Sequence, residues 1–318
     1  MTSNVIIKRI GILGGGGFVG RTLATGLCEA GYELKILTRR RSAKHLRLNA
    51  LPNLEMVELD VHDLAQLSTG LAGCDAVVNL VGILNARGTT GGGFHHAHVE
   101  LTDKVIRACR ENRIVRLLHI SAINADAVGG SSHYLRSKGL AEDNAHAAAG
   151  MQVTSYRPAV IFGTEDSFFN RFAALLRWLP GVFPLACAGA RFAPVFVEDV
   201  AAALLKSLTG AEHYGKRYEL CGPRSYTLRE LVEFTARCSG RNRIIMPLPD
   251  FAARIQGLGF DLTGFVFHAL GIEQPFSTDN YRSMQVDAVC RHNGFAELGI
   301  TPTALEGIVP AYLSKRPR

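Results

Sequence analysis

A tyrosine and a lysine stand four residues apart in the sequence, at Tyr134 and Lys138. On a helix this spacing places both side chains on one face, where the ammonium group lowers the pKa of the neighbouring phenol. Such a tyrosine can exchange a proton with a carbonyl or a carbinol, and the lysine can also hold a ribose. The alternative is that Lys138 only pairs with Glu142, one turn further on.

A glycine-rich run near the N-terminus lies between an apolar segment and a segment of helical periodicity. One glycine permits a tight turn, a second lets backbone N–H groups approach a pyrophosphate, and a third lets the helix pack closely on the strand. The pyrophosphate then lies at the positive N-terminus of the helix. A structural turn without a ligand is the alternative. The residues predicted to contact the cofactor are Gly14, Gly17, Phe18, Val19 and Gly20.

The residues after the second predicted strand favour one of the two nicotinamide cofactors. An NAD site usually has Asp or Glu there, whereas this strand runs into Arg39, Arg40 and Arg41. A guanidinium pairs well with a 2′-phosphate, and one such charge-assisted hydrogen bond contributes roughly 1.5–3 kcal/mol. We therefore predict NADP(H), bound through Arg39 and Arg40, with NAD(H) as the alternative. The alternative without a ligand is that these arginines form a solvated basic turn.

Two further strand ends suit the adenosine half of the cofactor. Asp60 can accept a hydrogen bond from the adenine amino group while the backbone of Val61 contacts the ring. Asp60 could instead cap the next helix, a role for which Asp63 competes. Small apolar residues follow the fourth predicted strand, at the edge of the sheet where ligands lie. These predicted contacts are Leu80, Val81 and Gly82.

The first 160 residues alternate between strand and helix patterns. The predicted strands are 7–13, 33–38, 54–59, 76–81, 115–120 and 153–156, and the predicted helices are 18–30, 64–71, 98–110 and 134–149. This alternation implies a parallel sheet with right-handed crossovers, covered on both faces. We predict an α/β fold, with a Rossmann-type doubly wound parallel sheet in residues 1–160. A smaller C-terminal α/β lobe, residues 161–318, returns some segments to the Rossmann core.

Composition excludes several functional classes. With 47% hydrophobic and 20% charged residues, the 318-residue chain can bury a sizeable core. The net charge is +7, but Lys and Arg are spread along the chain, which argues against nucleic acid as a partner. Seven scattered cysteines without a CxxC pair indicate reduced thiols, with no disulfide framework and no zinc site. Without a signal peptide or a long apolar stretch, we expect a cytoplasmic protein or one peripheral at the inner face of a bacterial membrane.

The order of these motifs resembles the extended and atypical branches of the short-chain dehydrogenase/reductase superfamily, which include the NAD-dependent epimerase/dehydratase family. The resemblance covers most of the chain. Its segments are 14–20, 60–61, 79–82, Ser121, the pair Tyr134 and Lys138, and 157–163. More narrowly, segments 119–122, 162–172, 194–201, 218–223, 226–231 and 298–302 resemble bacterial relatives of the NADPH-binding accessory subunit of respiratory complex I.

The resemblance implies a Rossmann fold with bound NADP(H), and it adds Ser121, Pro158 and Val160 to the cofactor contacts. In the complex I subunit the nucleotide is held tightly. Active extended members carry a Ser or Thr that donates to the substrate oxygen, one or two residues beyond Ser121. Those positions are Ala122 and Ile123 here, which leaves Ser121, or Ser131 and Ser132 on the loop before Tyr134, as the donor.

Three functions remain open. The first is an NADP(H)-binding relative of the complex I subunit, with a tightly held nucleotide and a role in a respiratory or quinone-linked assembly. The second is an active NAD(P)-dependent reductase, epimerase or dehydratase on a nucleotide sugar or another carbonyl or carbinol substrate. Its acid/base would be Tyr134, with Lys138 as pKa partner and Ser121 as donor. The third is a redox sensor whose nucleotide state controls a partner.

Two other segments each allow two functional interpretations. The histidine-rich segment 94–98 follows three glycines and fits a mobile lid over the nicotinamide better than a metal site, so we predict no metal. The apolar segment 251–276 is either a core helix between the lobes or a helix that meets a protein partner or a membrane surface through the C-terminal lobe. In the second reading Arg171, Arg177 and Arg191 contribute a basic face.

Overall fold

The computed structural model describes residues 6–39, 48, 50–86, 90–179, 181–269 and 276–314, with the backbone alone at 260 and 262–269. The strands are β1 (Arg9–Leu13), β2 (Glu33–Thr38), β3 (Leu54–Glu58), β4 (Ala76–Asn79), β5 (Arg116–Ile120), β6 (Gln152–Pro158), β7 (Ile161–Phe162), β8 (Val182–Leu185), β9 (Arg191–Phe192), β10 (Val195–Phe196), β11 (Arg217–Leu220), β12 (Tyr226–Thr227) and β13 (Ile244–Pro247). The helices are α1 (Phe18–Glu29), α2 (Leu64–Leu71), α3 (Leu101–Glu111), α4 (His133–Ala147), α5 (Phe169–Trp178), α6 (Val197–Lys206), α7 (Leu228–Cys238), α8 (Asp250–Ala269), α9 (Thr278–Ser283) and α10 (Leu305–Leu313).

Seven strands form one parallel sheet in the order β11-β6-β5-β4-β1-β2-β3. This confirms the predicted doubly wound α/β fold. The strand order reverses between β1 and β4, and in such sheets ligands bind in the crevice at the carboxyl ends of the strands beside that reversal. The predicted glycine loop follows β1, so the topology places it at this crevice.

The sheet is covered on both faces, because successive side chains of each strand point to opposite sides. Ile10 and Ile12 of β1 belong to a core cluster that includes residues of α1 and α6. Val77 of β4 and Leu117 of β5 belong to a second cluster, which includes residues of α2 and α3. The nearly all-apolar strands therefore have packing partners on each side.

Two elements from beyond residue 160 belong to the nucleotide-binding half. Strand β11 pairs with β6 at the edge of the sheet, and α6 packs against α1. A third core cluster, built around Phe162, Phe169 and Phe183, joins α5, α7, α10 and the β8–β13 pair in the C-terminal lobe. The boundary at residue 160 stays a prediction.

Two expectations from the sequence are wrong. The histidine-rich segment is not a lid, because His95–Glu100 forms a π-helix that leads directly into α3 and buries Ala97, His98 and Val99. The cysteines are not all reduced, because Cys221 and Cys290 form a disulfide. These two residues are 69 positions apart in sequence, and β11 and the segment after α9 bring their Cα atoms to 5.9 Å.

In the described ranges of the chain, no helix has the length and apolar character needed to cross a bilayer.

Candidate functional site

The glycine loop between β1 and α1 is closed so tightly that side chains do not fit. Gly14 has a φ of +76°, and its carbonyl accepts a hydrogen bond from the N–H of Gly17 at 2.9 Å. A Cβ atom at Gly20 would lie 2.5 Å from the Gly14 oxygen and from the Gly15 Cα. These contacts are with backbone, so a side chain there would force the loop or the helix to move.

The N-terminus of α1 is open to an anion. Its N-cap, Gly17, has no side chain to accept from the first-turn N–H groups, and the first turn contains no acidic residue. Free N–H groups and the helix dipole together favour a phosphate at this position. Arg21 adds a positive charge beside the loop, where it donates to the Gly16 carbonyl at 2.6 Å and pairs with Glu165. Sequence reasoning missed Arg21, although a basic residue one turn into the helix was a visible signal.

Lys138 lies between the ends of two central strands. Its ammonium group donates to the carbonyls of Ile120, at 3.0 Å, and Val81, at 3.4 Å. A Cβ atom at Gly82 would be 2.9 Å from the Lys138 Nζ atom, so this glycine leaves the lysine its space. Burial lowers the pKa of Lys138 to about 8, and the nearby charge of Glu142 acts in the opposite direction. The structure therefore brings Val81, Gly82 and Lys138 together.

Tyr134 lies one turn before Lys138 on α4, beside two other rings. Its ring centroid is 6.0 Å from that of Phe94 and 5.7 Å from that of His98. Burial raises the pKa of Tyr134 to about 12. The expectation that the ammonium of Lys138 lowers this pKa is therefore wrong for the protein in this state.

The N-terminus of α4 is capped from the C-terminal lobe. The carboxylate of Asp279, on α9, accepts from the N–H groups of His133, at 2.8 Å, and Tyr134, at 3.1 Å. The Ser283 hydroxyl donates to Ser132 Oγ at 2.8 Å. Asp279 thus holds the helix that carries Tyr134, and local sequence patterns gave no sign of it.

Ser121 does not present its hydroxyl proton to the cleft. It donates to Glu142 Oε2 at 2.8 Å, and Ser155 donates to the other carboxylate oxygen at 2.5 Å. Arg157 completes the group with a 2.9 Å ion pair to Glu142, whose side chain is fully buried. Glu142 is therefore engaged by Ser121, Ser155 and Arg157, and the structure does not support the alternative that Lys138 merely pairs with it.

Among the other donor candidates, Ser131 alone has a hydroxyl that is not engaged by another described residue. Ser132 caps α4 by accepting from the N–H of Leu135 at 3.1 Å, and the buried Ser131 hydroxyl has no hydrogen-bond partner among the described residues. Ala122 and Ile123 are buried. Ile123 packs in an apolar cluster with both cysteines of the disulfide.

The predicted adenosine contacts lie at the ends of β2 and β3. Arg39 lies exposed directly after β2, whereas Arg40 and Arg41 lie outside the described residues. The Asp60 carboxylate accepts from the N–H of His62 at 2.9 Å, and Val61 is buried in the core. The cap of α2 is Asp63 rather than Asp60.

The remaining predicted contacts lie at neighbouring strand ends. Leu80 follows β4, and its carbonyl carbon would be 3.2 Å from a Cβ atom at Gly14, so the two loops touch. Pro158 ends β6. Val160 packs against the core of the C-terminal lobe, and its carbonyl accepts from Val195.

Two buried histidines near the site are neutral. His98 Nε2 accepts from the N–H of Ile83 at 3.1 Å, which leaves the proton on Nδ1 for Ser137 Oγ at 2.8 Å. Burial is the main cause that lowers the pKa of His98 to about 2 and that of His119 to about 3. His98 thus ties the loop after β4 to α4, a role that the histidine spacing alone did not indicate.

Stability should fall with acid because of these two histidines. The unfolded chain binds a proton at each near pH 6.5, whereas the folded chain does not until about pH 3 or below. The free energy of unfolding is then expected to drop by about 1.4 kcal/mol per pH unit for each histidine as the pH falls below 6.5. Urea unfolding at pH 7.5, 6.0 and 5.0 measures this slope.

Matched variants separate these histidines from the rest of the chain. His98→Asn should make the slope shallower, and His292→Asn, at an exposed position, should leave it unchanged. Equal slopes in all three proteins would contradict the assignment.

No group of three or more His, Cys, Asp or Glu side chains that could hold a metal ion occurs in the part of the chain that the structure describes.

Comparisons with known proteins agree with this geometry. The model of the NAD dependent epimerase/dehydratase family matches residues 10–221. The chain is 30% identical to the mitochondrial NADH dehydrogenase (ubiquinone) 1 alpha subcomplex subunit 9 of Mus musculus, over 93% of this chain and 77% of that protein. It is 32% identical to the 4-hydroxy-2-methyl-3-oxo-4-farnesyl-3,4-dihydroquinoline-1-oxide ketoreductase of Stigmatella aurantiaca, over 50% of this chain and 52% of that one. The solved structure of a UDP-galactose 4-epimerase superposes with a TM-score of 0.70 at 18% identity, covering 96% of each chain, and shows the shared fold.

Proposed function

Because the chain belongs to the NAD dependent epimerase/dehydratase family, whose members bind NAD(P), we propose that it holds NADP(H) tightly as part of its folded structure. In this proposal it serves a respiratory or quinone-linked assembly, as a relative of the complex I accessory subunit. The similarity to the mouse subunit over 93% of this chain supports that assignment. We place the protein in the cytoplasm, peripheral at the inner face of a bacterial membrane.

One observation favours a nucleotide that stays bound and unchanged over a nucleotide that is oxidised or reduced in a catalytic cycle. The hydroxyl proton of Ser121 points to the buried Glu142 carboxylate, and the next two residues, Ala122 and Ile123, have no hydroxyl. A substrate carbonyl would therefore find no donor at the position that active extended members use, which leaves the unpartnered Ser131 hydroxyl as the remaining candidate. The closed glycine loop and the buried Lys138 support a cofactor site beside Ser121.

The residues present suit a nicotinamide dinucleotide. The cradle at Gly14, Gly17 and Gly20 would be filled by any Cβ atom, and the uncapped first turn of α1 offers N–H groups to a pyrophosphate. Lys138 would hold the nicotinamide ribose, and Arg39 would hold the 2′-phosphate. When bound, the nicotinamide supplies redox chemistry, while this chain's residues bind and orient it.

The test is to identify whatever nucleotide co-purifies with the protein, by mass spectrometry and absorbance. The holoprotein is then challenged with panels of carbonyl compounds and nucleotide sugars. We expect about one NADP(H) per chain, with no panel member changing its oxidation state. Depletion of the reduced nucleotide by any compound would overturn the held-nucleotide proposal, and a protein that binds no dinucleotide would overturn the site itself.

Replacing Arg39 with Asp is expected to reverse the cofactor preference. Loss of one charge-assisted hydrogen bond to a phosphate costs about 1.5–3 kcal/mol, so affinity for NADP(H) should fall ten- to hundredfold. Affinity for NAD(H) should stay level or rise, since an acidic residue here suits the ribose hydroxyls. Calorimetric titration of nucleotide-free protein measures both.

The exposed Arg107, on α3, offers a control with the same change of charge. Arg107→Asp should leave both affinities unchanged. Wild-type protein that binds NAD(H) more tightly than NADP(H) would contradict the role given to Arg39.

A second candidate function is an NAD(P)-dependent reductase, favoured by the match to the Stigmatella ketoreductase and by Tyr134 and Lys138 on one turn of α4. In that reading Tyr134 exchanges the proton and Lys138 positions the cofactor. If a panel compound is reduced, Tyr134→Phe should abolish the turnover while nucleotide affinity is kept. Unchanged turnover in Tyr134→Phe would remove the tyrosine from the chemistry.

A further inference from the structure

The pair β8–β13 in the C-terminal lobe presents an apolar face to solvent. The two strands run parallel, with Ile244 beside Val182 and Met246 beside Pro184. Side chains alternate along each strand, so Phe183 and Ile245 point into the core of the lobe. On the outer face Ile244 is 70% and Met246 48% exposed.

Apolar exposure continues on both sides of this face. Trp178, the single tryptophan of the chain, ends α5 four residues before β8 and is 75% exposed. After β13, a connection held to Leu185 by a backbone hydrogen bond leads into α8. There Phe251, Ile255 and Leu258 are exposed at a spacing that lies on one side of a helix. The other side of this half of the helix is buried, with Ala253 in a cluster with Ala186 and Tyr281, so the helix packs on the lobe through one side and exposes an apolar side.

Arg177, the chain neighbour of Trp178, lines a cavity of about 310 Å³ together with Arg237 and Arg241. Arg177 comes from the end of α5, and Arg237 and Arg241 come from the end of α7 and the turn after it. None of the described residues that line the cavity is acidic. The cavity therefore has the charge to take an anionic group of the size of a phosphate ester.

The surrounding sequence is basic throughout. Segments 168–191 and 234–259 together contain seven arginines and a single acidic residue, Asp250. That carboxylate accepts a 2.5 Å hydrogen bond from Tyr281. Neighbouring exposed apolar residues mark an interaction surface, and the arginines around them favour a partner with dense negative charge.

We propose that this surface docks on a membrane of anionic phospholipid. The lipid phosphate would bind in the arginine cavity, while Trp178, Ile244 and Met246 would enter the boundary between headgroups and acyl chains. Tryptophan and arginine suit this boundary, because each combines apolar surface with a polar group. This docking surface deepens the peripheral location proposed above, and none of its residues is among the predicted nucleotide contacts.

The fluorescence of Trp178 reports docking without a label, because no other tryptophan is present. Adding vesicles of phosphatidylcholine with phosphatidylglycerol to the full-length protein should shift its emission to shorter wavelength and protect it from iodide. Vesicles of phosphatidylcholine alone should leave both readouts unchanged. Sedimentation with the same vesicles measures the partition coefficient.

A triple variant tests the cavity against a control of equal net charge. Each basic residue near an anionic surface contributes about 1 kcal/mol, or about fivefold in partitioning. Arg177→Gln, Arg237→Gln and Arg241→Gln together should lower partitioning about a hundredfold. The same three changes at the exposed Arg107, Arg110 and Arg291 should have a much smaller effect.

The apolar part has its own pair of variants. Ile244→Ser with Met246→Ser should lower partitioning at least tenfold, whereas Ile6→Ser with Val128→Ser, at exposed positions elsewhere, should not. Equal binding to both vesicle types, or equal losses in the two arginine variants, would overturn the proposal. So would a concentration-dependent Trp178 shift without vesicles, which would indicate a second copy of the chain. Protection by inorganic phosphate without any vesicle binding would indicate a free-anion site instead.

Discussion

Gly20→Ala is expected to weaken nucleotide binding at least a hundredfold. The new Cβ atom would lie 2.5 Å from the backbone at Gly14 and Gly15, closer than non-bonded carbon atoms can approach. Relief requires the loop to move away from α1, which misplaces the N–H groups that would contact the pyrophosphate. Losing two hydrogen bonds to a charged group costs about 3–6 kcal/mol. The gain in helix propensity from alanine, about 1 kcal/mol, is too small to compensate.

Gly26 provides the matched control for this experiment. It belongs to the same helix, and a Cβ atom there would meet no atom within 4 Å. Gly26→Ala should therefore keep wild-type affinity and stabilise the fold by about 0.5–1 kcal/mol. Calorimetric titration with NADP⁺ and thermal unfolding of both variants give the two numbers. Wild-type affinity in Gly20→Ala would show that the glycine loop does not hold the nucleotide.

The elements around this loop could be predicted from the sequence because their signals are local. The strands β2 and β3 and the helices α1 and α2 follow from apolar periodicity, and Gly31, with a φ of +87°, marks the end of α1. A parallel sheet then places all strand ends on one edge, which is why the glycine loop, Gly82 and Lys138 could be assigned to one cleft. The spacing of Tyr134 and Lys138 on one face of α4 did the same for the tyrosine.

What the sequence could not indicate depends on contacts between distant residues. Asp279 caps a helix that begins 146 residues earlier, and Cys221 meets Cys290 only because β11 brings them together. The orientation of Ser121 is set by Glu142, a residue that spacing alone paired with Lys138. Hydrophobic periodicity does not predict which buried donors a carboxylate accepts from. Here that hydrogen bond decides whether the Ser121 hydroxyl can donate to a substrate.

The Glu142 network leads to the second large effect. Glu142→Gln should lower the free energy of unfolding by about 3 kcal/mol, because the change leaves the guanidinium of Arg157 without its buried counter-ion. The amide has one acceptor oxygen in place of two, so it cannot accept from Ser121, Ser155 and Arg157 together, and its NH₂ group meets other donors. We expect the lower end of the range for broken buried pairs, since the Arg157 side chain is 22% exposed. Urea unfolding measures the change.

The exposed ion pair between Arg9 and Glu33 is the control for this loss of stability. Their side chains are 43% and 49% exposed, so Glu33→Gln should cost less than about 1 kcal/mol. Equal costs at the two sites would mean that the Glu142 network contributes no more than a surface ion pair.

A second change at the same residue tests why the site would hold a nucleotide without turning it over. Glu142→Leu removes both acceptor oxygens, whereas the amide oxygen of Glu142→Gln can still accept from Ser121. If only the acceptor at Glu142 keeps the Ser121 hydroxyl from the cleft, Glu142→Leu should bind NADP(H) and gain slow turnover with the carbonyl panel, and adding Ser121→Ala should remove that turnover. If Glu142→Leu binds the nucleotide and remains inert, the orientation of Ser121 is not what prevents turnover, and the missing hydroxyls at Ala122 and Ile123 account for it.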